Sequence, residues 1–354
     1  SNAVRGWVNE GYATTTPRFF GQVPQLFRDG TIKLDVAFIN CSRPNEDGYV
    51  SFGVSADLTP SAVEVAPVII AQINPLMPFT YGDSMIHMSR LDAIVEVKDP
   101  LAETPDIKPS ANELKIGSYI AEQIPDGAAL QIGIGGIPNA VLHSLGSHKH
   151  LGLHTEALTD GVVPLIESGV IDNSCKQVEP GRTVASLAIG TRRLYDFMNY
   201  NKSILMRDIA WVNDPFVISQ NKNMVAINSC IEIDLSGQVC ADSIGTRIYS
   251  GVGGQQDFVY GSSRSVGGQS FIAMLSTTSR GENKIKPVLT PGAGVVTTRF
   301  QTNWVVTEYG AVNLRGKNMI DRARLLISIA APQFREQLDR AAFDMLGYAY
   351  RRWR

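Results

Sequence analysis

Residues 128–141 read AALQIGIGGIPNAV, and the reading of this stretch decides the fold. Residues 128–134 are a short apolar run bounded by glycine, the pattern of a buried strand. Gly133, Gly135 and Gly136 then break the run, and Pro138 sits where a first helical turn tolerates a missing N–H. A buried strand that passes through a glycine turn into a helix is the repeating unit of a layered α/β fold with a mainly parallel sheet.

The same alternation extends outward. Upstream, residues 34–39, 68–73 and 91–97 predict strands, while residues 22–27 and 59–65 predict short helices. Residues 44–48 read as a turn, with 49–52 as the second arm of a hairpin. Residues 99–109 hold Pro100, Pro105 and Pro109 and read as a linker. Behind it, Ser110 and Glu113 form a capping box, and Leu114, Ile120 and Ile124 follow at roughly helical spacing. Downstream, residues 151–157 predict one strand, 162–168 a helix, and 224–228 with 231–235 a hairpin-prone β region. Residues 271–275 and 304–307 predict further strands. Ile320, Ala323, Ile327 and Ala330 share a helical face, as do Phe334, Leu338, Ala341 and Met345. The expected architecture is α/β, with two open α/β domains whose sheets are mainly parallel. Residues 1–105 form the first domain and 106–354 the second, with a site at their interface. Residues 348–354 read as a solvated helix end. Ser1-Asn2-Ala3 reads as a cut or an expression scar, so the natural beginning is expected to be missing.

The chain has 354 residues, 44% hydrophobic and 19% charged, which excludes disorder. Its formal charge of -2 gives little electrostatic support for nucleic acid as a partner. No apolar run is long enough to span a membrane. Cys41, Cys175, Cys230 and Cys240 show no metal-ligand spacing and read as buried thiols in a reducing compartment, so a cytoplasmic location is expected. His148, His150 and His154 cluster, but no cysteine or paired carboxylate completes a set, and no metal is expected.

Three readings fit the first glycine loop. Free N–H groups at a helix start favour an anion. Gly133 and Gly135 match the first two glycines of a dinucleotide fingerprint, although Pro138 stands in the third place, and Glu156 lies about 20 positions on. That keeps an NAD-dependent dehydrogenase open. The same loop suits the pantetheine or diphosphate of coenzyme A. A tight turn that binds nothing is the third reading. Gly251-Val252-Gly253-Gly254 is a second loop able to aim backbone donors at an oxygen gaining charge, or else a surface turn. No G-x-S-x-G and no Walker A pattern is present, which leaves carboxylates for covalent chemistry. Glu156 lies in an otherwise apolar stretch, where an acid is costly to bury, unless it faces water at a strand end.

Several stretches, in order, resemble the acetyl-CoA hydrolase/transferase family, and within it the 4-hydroxybutyrate CoA-transferases and butyryl-CoA:acetate CoA-transferases. They are residues 8–20, 35–57, 133–141, 154–171, 226–239, 251–258 and 305–317. The resemblance implies that Glu156 is the catalytic glutamate and forms a glutamyl-CoA thioester. It implies that Gly133, Ile134, Gly135, Gly136 and Ile137 bind coenzyme A, and that Asn213 contacts the thioester region. It places an oxyanion donor in the loop of Gly253 and Gly254, at Gly254. Glu232 and Asp234 are rival acids that the family motif does not favour. The expected substrates are a short-chain acyl-CoA and a carboxylate such as acetate, with no tightly bound cofactor. A homodimer is expected, and the family carries several tens of residues ahead of this start. The alternatives are an acetyl-CoA hydrolase or a non-catalytic acyl-CoA binding protein.

Overall fold

The computed structural model describes residues 4–105 and 107–352. The expectations about Ser1, Asn2 and Ala3 lie outside that range, as do those about Trp353 and Arg354. The amino-terminal part runs from β1 (Val36–Cys41) through α1 (Thr59–Val65) to β2 (Val68–Ile73) and then β3 (Ala93–Glu96). These strands lie in the order β1-β2-β3 and are all parallel, with Val36 opposite Val68 and Ile70 opposite Ala93. Side chains of a strand alternate between faces. Here Ala37, Ile39 and Cys41 meet Ile69, Ala71 and Ile73 on the face covered by Val63 of α1. The other face of β1 carries Phe38, which is 78% exposed.

A six-stranded sheet organises the rest. It is built from α2 (Ala111–Ala121), β4 (Ala129–Ile132), α3 (Gly136–Ser144), β5 (Gly152–Leu153), α4 (Ile209–Val212), β6 (Met224–Ser229), α5 (Gln255–Arg264), β7 (Gln269–Ala273), β8 (Trp304–Thr307) and β9 (Gly310–Asn313). The strand order is β9-β8-β7-β6-β4-β5, and only the β8–β9 pair is antiparallel. β4 is buried at every position, which is why its run is apolar but for Gln131, whose amide bonds Asn228 of β6. After β4 the chain goes to β5 on one side, and it returns to β6 on the other. The carboxyl ends of β4 and β6 therefore flank the point where the strand order reverses, the place where open α/β sheets bind ligands. The closing helices α6 (Met319–Ser328) and α7 (Pro332–Leu346) place Ala323, Leu326, Leu338 and Ala342 in a core with Ile272 and Val305. The two parts also meet through backbone, since Tyr81–Gly82 pairs in parallel with Leu205–Met206.

Three local expectations are corrected. Residues 151–157 are not one strand. Gly152–Leu153 pairs with β4, the chain bends at Thr155 and Glu156, and Ala157–Leu158 pairs with Leu187–Ala188. Residues 224–228 and 231–235 are not a hairpin: β6 is a central parallel strand, and Glu232–Asp234 joins a separate sheet with Val239–Cys240 and Ile285–Lys286. Tyr49–Ser51 pairs with Met85–His87 rather than with β1. In each case a distant strand outcompetes the neighbour in sequence. The cysteine reading is corrected at one position, because Cys175 is exposed while the other three are buried.

The helices α2 and α3 cross at Gly117. A Cβ there falls 2.5 Å from both the carbonyl carbon and the oxygen of Ala140, a backbone that cannot swing aside. Alanine gains about 1 kcal/mol of helix propensity over glycine, but overpacking costs about 1–3 kcal/mol. Gly117→Ala is expected to lower the melting temperature, and a rise in thermal denaturation experiments would contradict this packing.

Candidate active site

Glu156 sits on the bend between two sheets. Its carbonyl accepts from Ser186 N–H at 3.0 Å and Leu187 N–H at 3.1 Å, which fixes the backbone. Thr155 is buried, and its hydroxyl bridges the N–H and C=O of Ile132, both at 3.2 Å. His154, fully buried, points its Nε2 at the carbonyl of Val212, 2.8 Å away. A carbonyl only accepts, so Nε2 carries the proton. Burial, with help from the charge of Lys176, lowers the His154 pKa to about 3, so the ring stays neutral. The strand before Glu156 is thereby tied to the end of α4, whose next residue is Asn213.

Asn213 is buried and donates from Nδ2 to Glu156 Oε2 at 2.8 Å. Its helix is capped by Asp208, which accepts from Ala210 N–H and is held by Arg28 Nη2 at 2.7 Å. Across from Asn213 lies the second glycine loop. Gly253 has a φ of +58°, a left-handed conformation that glycine adopts without strain. Gly254 caps α5 and turns its N–H to the Glu156 carboxyl. A Cβ on Gly254 falls 2.2 Å from Glu156 Oε2 and 2.3 Å from Asn213 Nδ2, so no other residue fits without displacing both. As a residue Glu156 is half-buried, yet its carboxyl lies deep. Burial raises its pKa; the charge of Asp57 adds to this, and the Asn213 amide and the Gly254 N–H oppose it.

A cavity of about 530 Å³ opens in front of this carboxyl. It is lined by Gly133 and Ile134 at the end of β4, Asn228 and Ser229 at the end of β6, and the loop through Gly253 and Gly254. The structure thus gathers Gly133, Ile134, Glu156, Gly253 and Gly254 around one space, with Asn213 bonded to Glu156 behind them. Gly135, Gly136 and Ile137 are not among the lining residues. Gly136 backs onto the Glu113 carboxylate, and Ile137 enters the core. Glu232 is spent on Thr290, taking its N–H and its hydroxyl, and Asp234 holds the turn at Ser236 and Gln238. Among the described residues no group of three or more His, Cys, Asp or Glu is placed to hold a metal. No helix there is long and apolar enough to cross a membrane.

Sequence reasoning missed Asp257 and Gly21. Asp257 is 7% exposed, and its Oδ2 has no hydrogen-bond partner among the described residues. Burial, with the charge of Glu156 adding to it, pushes its pKa up to about 7 against the pull of the Gly21 N–H and the Asn213 amide. Gly21 packs so closely that a Cβ there falls 2.8 Å from the Asn213 Cβ. The neighbouring Phe20 N–H donates to the Gly253 carbonyl at 3.2 Å. The amino-terminal segment therefore props up the back of the site. Asp257 lies three residues past Gly254, but nothing in the sequence pairs it with Gly21.

The site is thus a carboxylate faced by the Asn213 amide and the Gly254 backbone beside a parallel-sheet switch point. The chain belongs to the acetyl-CoA hydrolase/transferase family. The amino-terminal domain of that family matches residues 1–104, and its carboxy-terminal domain matches residues 190–342. A succinyl-CoA:acetate/propanoyl-CoA:succinate CoA transferase of Fasciola hepatica is 50% identical over 342 residues, 96% of this chain and 72% of that protein. A 4-hydroxybutyrate coenzyme A transferase of Clostridium kluyveri is 49% identical over 95% of this chain and 78% of its own length. The crystal structure of a 4-hydroxybutyrate CoA-transferase from Porphyromonas gingivalis superposes with a TM-score of 0.84 at 44% identity, over 95% of this chain and 82% of that one.

Two outcomes follow. The raised pKa of Asp257 means that the folded state keeps a proton that the unfolded state releases near its ordinary value of 3.8. Its stabilising contribution is complete below that value and is lost as pH rises through about 7. Asp257→Asn is therefore expected to melt progressively higher relative to the parent as pH rises across this window; a constant offset would refute the assignment. Gly254→Ala keeps its backbone N–H but drives a Cβ into the Glu156 carboxyl and the Asn213 amide, and it is expected to cut kcat by about 100-fold or more through misplacement of these groups, which steady-state kinetics would read.

Proposed function

We propose that the protein is an acyl-CoA:carboxylate CoA-transferase that works through a glutamyl-CoA thioester on Glu156. The observation that carries this is a deep carboxyl that takes the Asn213 Nδ2 amide, lies against the Gly254 backbone and fronts a cavity. The Glu156 carboxylate oxygen attacks the acyl carbonyl carbon. The C–S bond breaks, leaving a mixed anhydride and CoA thiolate. The thiolate attacks the Glu156 carbonyl carbon, the anhydride C–O bond breaks, and the first carboxylic acid leaves as its anion. An incoming carboxylate reverses the sequence and departs as the new acyl-CoA. No proton is exchanged overall. Each tetrahedral intermediate carries charge on oxygen, and the Gly254 N–H is preorganised to receive it. Asn213 holds the nucleophile in place, which matters because carboxylates are weak nucleophiles and gain most from positioning.

Partial desolvation serves the same chemistry. An anion stripped of water reacts faster, and a site that excludes water spares the anhydride and thioester from hydrolysis. Glu156 must be ionised to act, so kcat/KM falls as pH drops through its raised pKa. The substrates in this reading are 4-hydroxybutyryl- or butyryl-CoA with acetate, by analogy with the relatives' named reactions. The amino-terminal domain, through its Phe19–Gln22 segment, and the domain that carries Glu156 would meet at the site, and the reading extends to a cytoplasmic homodimer. The chief competing reading is an acetyl-CoA hydrolase, in which water takes the place of the incoming acid.

Incubation with acyl-CoA alone is expected to add one CoA less one water to the peptide containing residue 156, because one Glu156 oxygen departs with the released acid, as mass spectrometry would detect. Glu156→Gln should abolish both the adduct and the exchange. Undiminished exchange in that variant would sink the mechanism, and net release of free CoA without an acceptor acid would favour the hydrolase.

A further inference from the structure

A second cavity, of about 420 Å³, is lined by Phe19, Gly21, Asn213, Asp214 and Asp257, and Glu156 is not among its lining residues. Asn213 belongs to both neighbourhoods: it lines this cavity, and its Nδ2 donates to Glu156 Oε2 at 2.8 Å. Its side chain is wedged between two glycines. A Cβ on Gly254 falls 2.3 Å from Asn213 Nδ2, and a Cβ on Gly21 falls 2.8 Å from Asn213 Cβ and 3.3 Å from Asp257 Oδ2. Asp257 thus stands close to the amide that serves Glu156. Both Asn213 Oδ1 and Asp257 Oδ2 are buried without a hydrogen-bond partner among the described residues. Nothing packed against Asp257 brings it a cation. Its helix α5 lies on the segment Pro215–Gln220 and on β6 and β7, and none of these carries a titratable side chain, nor does Phe19–Gln22. The charges that face it are those of Glu156 and Asp214, both negative. Tyr260 lines the same cavity, with Arg264 over its ring, and His154, packed on Phe258, is neutral.

We propose that Asp257 is a positioning residue for Glu156: protonated, it leaves the Asn213 amide to the nucleophile, and ionised, it competes for that amide and shuts the reaction down on the alkaline side. Two neighbouring carboxyls lose their protons in two steps that belong to the pair. Glu156 holds the Asn213 hydrogen bond while Asp257 Oδ2 holds none, so the first charge rests on Glu156. A second charge, on Asp257, draws the amide between two anions and weakens its bond to Glu156. It also repels the Glu156 charge and favours return of a proton to the nucleophile. The second cavity gives Asp257 a way to exchange its proton that does not pass through the substrate space. The inference rests on the transferase reading, because it takes Glu156 as the nucleophile.

The test follows kcat/KM for transfer from butyryl-CoA to acetate between about pH 5 and about pH 9, in the parent and in Asp257→Asn, which keeps the shape of the protonated acid and cannot ionise. In the parent, kcat/KM is expected to fall about 10-fold or more as pH rises through about 7, the worth of one hydrogen bond to a charged group. In Asp257→Asn this alkaline fall is expected to vanish, while the acid limb, which belongs to Glu156, stays in place. Asp257→Ser, smaller and equally unable to ionise, should lose the same limb. A parent without an alkaline fall, a fall that persists in both variants, or a loss that is uniform across pH overturns the role of Asp257. Mass spectrometry of the residue 156 peptide separates the two levels. An adduct in the parent together with any of those three profiles overturns Asp257 alone, whereas no adduct with any acyl-CoA at any pH overturns the transferase reading and this inference with it.

Discussion

The Glu156 carboxyl is positioned by two groups that do not belong to its own segment. One is the end of α4, which supplies the Asn213 amide; the other is the turn into α5, which supplies the Gly254 N–H. A buried anion is tolerated only when donors meet it. Much of the surrounding fold keeps these donors in place. His154 locks to the Val212 carbonyl beside Asn213, Thr155 clasps the end of β4, and Ser186 and Leu187 pin the Glu156 carbonyl. The parallel sheet brings the ends of β4 and β6 to the same edge, so the carboxyl looks into a cavity rather than into the core.

Two acids compete for this neighbourhood. Glu156 and Asp257 are both pushed up by burial, the charge of Glu156 adds to the rise at Asp257, and the Asn213 amide opposes both rises. Two ionised carboxylates so placed repel each other, and a proton held by Asp257 relieves the conflict while leaving Glu156 free to ionise. The reactivity of the site thus depends on a balance of charge as well as on the position of single atoms.

The strand–glycine–helix unit at residues 128–141 was legible because its fully buried strand carries a single polar residue, Gln131, in an otherwise apolar run, and glycine marks its end. The capping box at Ser110 and Glu113, α1 and β8 were legible for equally local reasons. The bend at Thr155 and Glu156 was not. An apolar run looks continuous whether its halves join one sheet or two, and only the distant partners, Leu130 and Leu187, distinguish them. The misread hairpins failed the same way. In the site, the residues alone left Glu156 as one acid among several, and it was the family resemblance that singled it out. Gly21 and Asp257 were invisible because their meaning is a contact between segments far apart in the chain.

The site draws its groups from four stretches, around Phe20, Glu156, Asn213 and Gly254, and none of them is adjacent to another in sequence. Contacts of such wide separation form late, after long loops have closed. Enzymatic turnover should therefore be among the last properties regained when the denatured chain is diluted from urea, lagging behind the recovery of helical circular dichroism. A nick or a slow step that delays docking of the amino-terminal segment would leave a folded but inert population, so specific activity doubles as a gauge of how many molecules have completed assembly.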